Sequence, residues 1–138
     1  MQRKLEMLRR VPLFAGLNQR GLEDVGRLAD EIDLPAGTSL MQQGTTGHDF
    51  FLILDGTVSI ERDGQVVNQL GAGEFFGEIA LLDGRPRSAT VKTDTPSRLL
   101  VLGHREFNSL VDEFPEVRVA VLLALAQRVR RLEPEGPH

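Results

Sequence analysis

The sequence predicts a mainly β fold with flanking helices: a small antiparallel barrel or jelly roll, helical at both ends. Two observations carry this. Turn signals recur every few residues from Pro35 to Gly73, and the runs between them are short and strand-like. Outside that stretch the apolar residues recur at helical spacing instead. The 138 residues suit one domain, and an apolar fraction of 41% is ordinary for a packed core.

At the start, Leu5, Leu8 and Met7 mark a short helix with Arg and Lys on its outer side, and "VPLFAGL" ends it with Pro12 and Gly16. Asn18 is placed to cap a second helix carrying Leu22, Val25, Leu28 and Ala29. A reciprocal capping box is missing, because Gly21 stands where Glu or Gln would be. From Ile32 the punctuation changes: Pro35-Ala36-Gly37, Gly44, Gly47, Asp55-Gly56, Asp63-Gly64 and Gly71-Ala72-Gly73 read as turns. "DFFLIL" is continuously apolar, as in a strand buried on both faces. "TVSIER" alternates, with Val58 and Ile60 on one side, and Asp63-Gly64 joins it to "QVVNQL" as a hairpin. "SATVKT" and "SRLLVL" supply two more strands.

Helix returns after Gly103, where Phe107, Leu110, Val111 and Phe114 form one stripe, and Pro115 interrupts it. The last helix is predicted from about Glu116 to Leu132, with Val117, Val121, Leu125, Val129 and Leu132 on one face. Val119, Leu122, Leu123 and Ala126 make its middle apolar almost all round, so cover on more than one side is expected. Arg128, Arg130 and Arg131 suit the negative end of its dipole. The expected organisation is a single domain: a helical segment over 1–30, a barrel over 31–103, and hinge and lid helices over 104–132.

Composition narrows the function. Net charge is −4, which argues against bulk nucleic-acid binding. Cysteine is absent, so disulfides, thiol chemistry and Cys-ligated metals are excluded. The N-terminus lacks the apolar run of a signal peptide, and "VAVLLALA" is too short to span a bilayer, so no membrane insertion and a cytoplasmic location are expected. His48, His104 and His138 are scattered and lack ligand spacing, so no metal is expected. No nucleophile–base pairing is evident, which points away from an enzyme and leaves no catalytic candidate. Phe14, Phe50, Phe51, Phe75 and Phe107 read as core.

One segment carries more chemistry than a connecting loop needs: "GEFFGEIALLDGRPRSATV", Gly73 to Val91. Gly77 permits close backbone approach or positive φ. "EIALL" can form one helical turn, whose first N–H groups on Ile79 and Ala80 favour an anion. Arg87 is a planar fork suited to phosphate oxygens, stiffened by Pro86 and followed by the Ser88 hydroxyl. Glu78 is repulsive to an anion unless it pairs with Arg87 or accepts from a ribose hydroxyl beside the phosphate. A sugar phosphate answers both residues; a surface Glu78–Arg87 ion pair of little value is the bland alternative.

"FGEIALLDGRPRSATV" resembles the phosphate-binding cassette of the cyclic nucleotide-binding domain family, the module of protein kinase A regulatory subunits, catabolite activators and cyclic nucleotide-gated channels. The resemblance extends to "VPLFAGL", to "LPAGTSLMQQGTTGHDFFLILDGTVSI" and to the flanking helices, about Leu8 to Leu132. It implies an eight-stranded antiparallel jelly-roll β-barrel with a cassette over 75–91. It also implies roles. Glu78 would bind the ribose 2′-hydroxyl and Gly77 would lie against the sugar. Arg87 would bind the cyclic phosphate with Ser88 and the Ala80 N–H, and Phe76, Ile79 and Ala89 would complete the site. Family members often close the pocket from the last helix with an aromatic residue. Trp and Tyr are absent and no Phe lies beyond Phe114, so Leu125 or Arg128 is the candidate base lid.

The expectation is a non-enzymatic cyclic nucleotide sensor for cAMP, with cGMP as the other candidate ligand, signalling through its C-terminal helices to an effector protein or domain. The last helix could also pair two chains as a homodimer. No helix-turn-helix follows that helix, so a complete transcription factor is not expected. Two alternatives stand beside it: an interaction module that keeps the fold without a nucleotide, and a regulatory fragment or subunit of a larger enzyme, channel or transporter.

Overall fold

The computed structural model describes residues 2–47, 49–77, 86–87 and 89–131. Two helices lead: α1 (Gln2–Arg9) and α2 (Gln19–Leu28). Eight strands follow: β1 (Asp30–Leu34), β2 (Ser39–Met41), β3 (Asp49–Asp55), β4 (Val58–Arg62), β5 (Gln65–Leu70), β6 (Phe75–Phe76), β7 (Thr90–Thr93) and β8 (Ser97–Gly103). Two helices close the described chain, α3 (His104–Glu113) and α4 (Pro115–Arg131). The strands form two four-stranded sheets, ordered β1-β8-β3-β6 and β2-β7-β4-β5, with every pairing antiparallel. This is the predicted mainly β fold with helices at both ends. Asp63 and Gly64 turn the β4–β5 hairpin with φ of 54° and 80°, the double left-handed geometry that an Asp-Gly pair tolerates.

The apolar run in β3 serves two cores. Phe50 and Leu52 join the helix-side cluster, which draws on α1, α2, α3 and α4; Phe51 and Ile53 join the cluster between the sheets. Phe50 stacks on Phe107 of α3 with ring centroids 4.5 Å apart, and Phe51 stacks on Phe76 of β6 at 4.9 Å. The strand is therefore buried on both faces, as its continuous hydrophobicity predicts.

The helices are fixed by local chemistry. Asn18 caps α2, its side chain accepting from the Gly21 N–H at 2.9 Å. A Cβ on Gly21 would stand 3.2 Å from Leu17 and 3.4 Å from Phe114, so tight packing explains why no capping-box Glu occupies this position. Lys4 Nζ donates to the carbonyls of Gly26 and Ala29 at 2.7 and 2.6 Å, holding α1 against the far end of α2. On the β1–β8 pair, Arg98 Nε donates to Asp33 Oδ1 at 2.7 Å, and this hydrogen bond draws the Asp33 carboxyl below its ordinary range.

Phe114 ends α3 as its C-cap, and Pro115 opens α4 at the position where a missing N–H costs nothing. Val117 and Val121 are buried, and Ala120, Ala124 and Leu125 are half-buried against the helix-side cluster. The far side differs from expectation. Val119, Leu122, Leu123 and Val129 are 53%, 62%, 59% and 57% exposed, so among the described residues α4 is covered on one side only. Val129 leaves the predicted buried face because the helix-side cluster reaches along α4 only as far as Leu125. Leu132 lies outside the described residues.

Candidate ligand-binding site

Arg87 is the centre of the site, and four residues in three segments, Gly44 with Thr45, Asp49 and Gly77, hold it. Its backbone N–H donates to the Thr45 carbonyl at 2.7 Å, and its carbonyl accepts from the Gly44 N–H at 2.8 Å. Its guanidinium donates from Nη1 to the Gly77 carbonyl at 2.9 Å and from Nη2 to the Asp49 carbonyl at 2.8 Å. The residue is 5% exposed, a cation brought inside and oriented by backbone dipoles.

Two glycines make room for it. Gly77 has φ of 96°, and a Cβ there would lie 2.7 Å from the Asp49 carbonyl oxygen and 3.1 Å from Arg87 Nη1. Geometry and space therefore both demand glycine. Gly47 has no such backbone requirement, but a Cβ on it would stand 2.0 Å from Arg87 Nε. The sequence shows Gly47 only as one more turn signal; its reason is the side chain that lies across it.

Arg87 lines a cavity of about 590 Å³, together with residues 39–42 and 45–47, Asp49 and Phe51. Among these described residues Arg87 is the one cation. The volume lies within the range of small-ligand pockets, roughly 300–1,000 Å³. The wall formed by β2 and the β2–β3 connection carries Ser, Thr and Gln side chains beside Leu40, Met41 and Phe51, a mixture suited to a ligand with both polar and flat apolar parts.

The other sequence-predicted site residues divide as follows. Phe76 is buried between the sheets and stacks on Phe51, so it anchors the strand end from which Gly77 emerges. Ala89 is buried two residues after Arg87. Glu78, Ile79, Ala80 and Ser88 lie outside the described residues. Leu125 packs against the helix-side cluster. Arg128 is half-buried: its guanidinium lies 4.4 Å from the Phe75 ring centroid and donates to the Phe75 carbonyl. It thus joins α4 to β6, immediately before Phe76 and Gly77. Sequence reasoning did not assign Gly44, Thr45, Gly47 or the Asp49 carbonyl to the site, because a backbone partner leaves no residue-type signature.

A buried arginine lines a cavity of this size on a jelly roll with helices at both ends, an arrangement suited to a small anionic ligand. The chain belongs to the cyclic nucleotide-binding domain family: the family model described by those words matches residues 31–114. It is 35% identical over 126 residues to a cyclic nucleotide-gated potassium channel of Rhizobium etli, covering 91% of this chain and 35% of the channel. Among solved structures it is similar to the regulatory domain of Toxoplasma gondii PKA with cAMP, at 32% identity and TM-score 0.69, covering 79% of this chain and 43% of that one. It is also similar to the catabolite activator protein of Thermus thermophilus, at 30% identity and TM-score 0.77, covering 88% of this chain and 59% of that one. The chain spans less than two thirds of each of these relatives.

Proposed function

We propose that the chain is a non-enzymatic cyclic nucleotide sensor, with cAMP as its ligand, acting on an effector protein or domain through α3 and α4. The observation that carries this reading is Arg87, a buried guanidinium held by two carbonyls on a cavity of about 590 Å³. A planar fork fixed in this way suits the equatorial oxygens of a cyclic phosphate. A cavity of this volume would accommodate a ribose and a base beside the phosphate. The cAMP in the Toxoplasma regulatory domain structure supports the choice of nucleotide. The relatives, a gated channel, a regulatory domain and an activator protein, support a regulatory part rather than a catalytic one.

In this reading Arg87, Ser88 and the Ala80 N–H take the phosphate, Glu78 takes the ribose 2′-hydroxyl, and Gly77 lies against the sugar. Phe76, Ile79 and Ala89 frame the cassette over 75–91. Leu125 and Arg128 belong to the segment 104–132 that would cover the base, with 1–30 as a helical support for the barrel over 31–103. Among the described residues no helix is long and apolar enough to cross a membrane; a cytoplasmic site of action is part of the proposal.

Isothermal titration of the purified chain with cAMP and cGMP tests the reading. Saturable binding of one nucleotide per chain, tighter for cAMP, is expected. Binding of neither would leave only the fold and favour an interaction module. Ser88→Ala separates the two bases: loss of about 1 kcal/mol for both nucleotides fits a phosphate contact. Loss confined to cGMP, with a wild-type preference for it, would reverse the cAMP assignment.

A further inference from the structure

Residues 39–42 and 45–47 all line the cavity; Gln43 and Gly44 do not. The side chain of Gln43 reaches instead to the tip of the β4–β5 hairpin. There its Nε2 donates to Asp63 Oδ1 at 3.1 Å, and its Oε1 accepts from the Asp63 backbone N–H at 2.9 Å. The amide orientation follows from its partners, since the N–H can only donate and the carboxylate can only accept. Asp63 is the one non-glycine with positive φ among the described residues, so its N–H is aimed by a turn that few residue types adopt. The backbone N–H of Gln43 donates on the other side, to Thr90 Oγ1 at 2.9 Å. The next two residues, Gly44 and Thr45, make the backbone hydrogen bonds to Arg87, and Gly47 lies under its guanidinium.

From this arrangement we infer that Gln43 is a positioning residue for the ligand site, clasping the cavity wall to the β4–β5 hairpin so that Arg87 keeps its place. The inference rests on the reading of this cavity as the nucleotide site. Residues 42–47 are joined to the segment at Arg87 by backbone hydrogen bonds, but a wall joined on one side can tilt with that segment. The Gln43–Asp63 clasp is a side-chain tie from this wall to a different hairpin, and it makes the β4–β5 tip part of the machinery that sets ligand affinity.

The donor and acceptor roles of the clasp can be exchanged at constant charge. Gln43→Glu places two carboxylates together and breaks it. Gln43→Ala removes it without adding charge. Gln43→Glu with Asp63→Asn restores both hydrogen bonds with the polarity of the side-chain pair reversed, and Asn accepts the left-handed turn. Titration with cAMP is expected to show Gln43→Glu and Gln43→Ala weakened by roughly tenfold, the size of one or two solvent-exposed hydrogen bonds. The double variant should return to within about twofold of wild type. Melting temperatures measured alongside separate positioning from mere support. Variants that melt earlier yet bind cAMP as the wild type does would overturn the inference, as would a double variant that stays weak. A wild type that binds neither cAMP nor cGMP would bring down the functional reading and this inference together.

Discussion

Replacing Arg87 by alanine removes more than a charge from the cavity, because the same guanidinium donates to the carbonyls of Gly77 and Asp49. Two carbonyls would lose these donors at a largely buried position, at a cost on the order of 1–3 kcal/mol. Arg87→Ala is therefore expected to abolish nucleotide binding and also to lower the unfolding midpoint, both readable by titration and thermal melting. Gly47→Ala is the more discriminating change. Its backbone conformation is open to alanine, but the added methyl takes the place of Arg87 Nε. It should weaken cAMP binding by at least about tenfold through displacement of the fork; unchanged affinity would show that the exact seat of Arg87 does not matter. Arg87 and Gly77 were legible in the sequence because arginine and glycine advertise their chemistry within one short motif. Gly47 was legible only as a turn, since no sequence pattern states which side chain will lean across a glycine from a segment forty residues later.

The long strands β3, β4, β5 and β8 and the hairpin at Asp63-Gly64 follow from apolar runs and turn chemistry. β1, β2 and β6 do not stand out in the same way. β1 reads "DEIDL" with three acids, β2 has three residues and β6 has two, so neither periodicity nor propensity has room to accumulate. Their pairing is imposed by β8, β7 and β3, a tertiary effect. The last helix shows the converse. Its periodicity was plain, but how far a partner surface extends along it is not written in the helix itself. Its first half is anchored by Val117 and Val121, whereas beyond Leu125 the contact to β6 runs through Arg128 and Phe75. Arg128→Ala is expected to raise amide hydrogen exchange across 125–131 and leave 117–121 unchanged. Equal protection in both variants would mean that the end of α4 is held by something other than this contact.

For the molecule as a whole, the exposed row of Val119, Leu122, Leu123 and Val129 is the most apolar part of its described helical surface. Association of two chains through α4 would cover it, in keeping with the homodimer proposed from the sequence. Sedimentation velocity should show concentration-dependent self-association that Leu122→Lys with Leu123→Lys removes, while cAMP affinity persists. A wild type that stays monomeric at about 100 μM, where a dimer with a Kd of about 1 μM would be mostly assembled, would assign this face to a different partner. The double use of β3 has a further consequence, for how the chain comes apart. Phe50 and Leu52 belong to one core and Phe51 and Ile53 to the other, so each layer loses a wall if the opposite layer opens. Barrel and helices then melt as one unit, and the β3 amides exchange with solvent only when everything unfolds. A proteolytic fragment trimmed of its last two helices would bare Phe50 to water and should be found as precipitate rather than as a smaller folded domain.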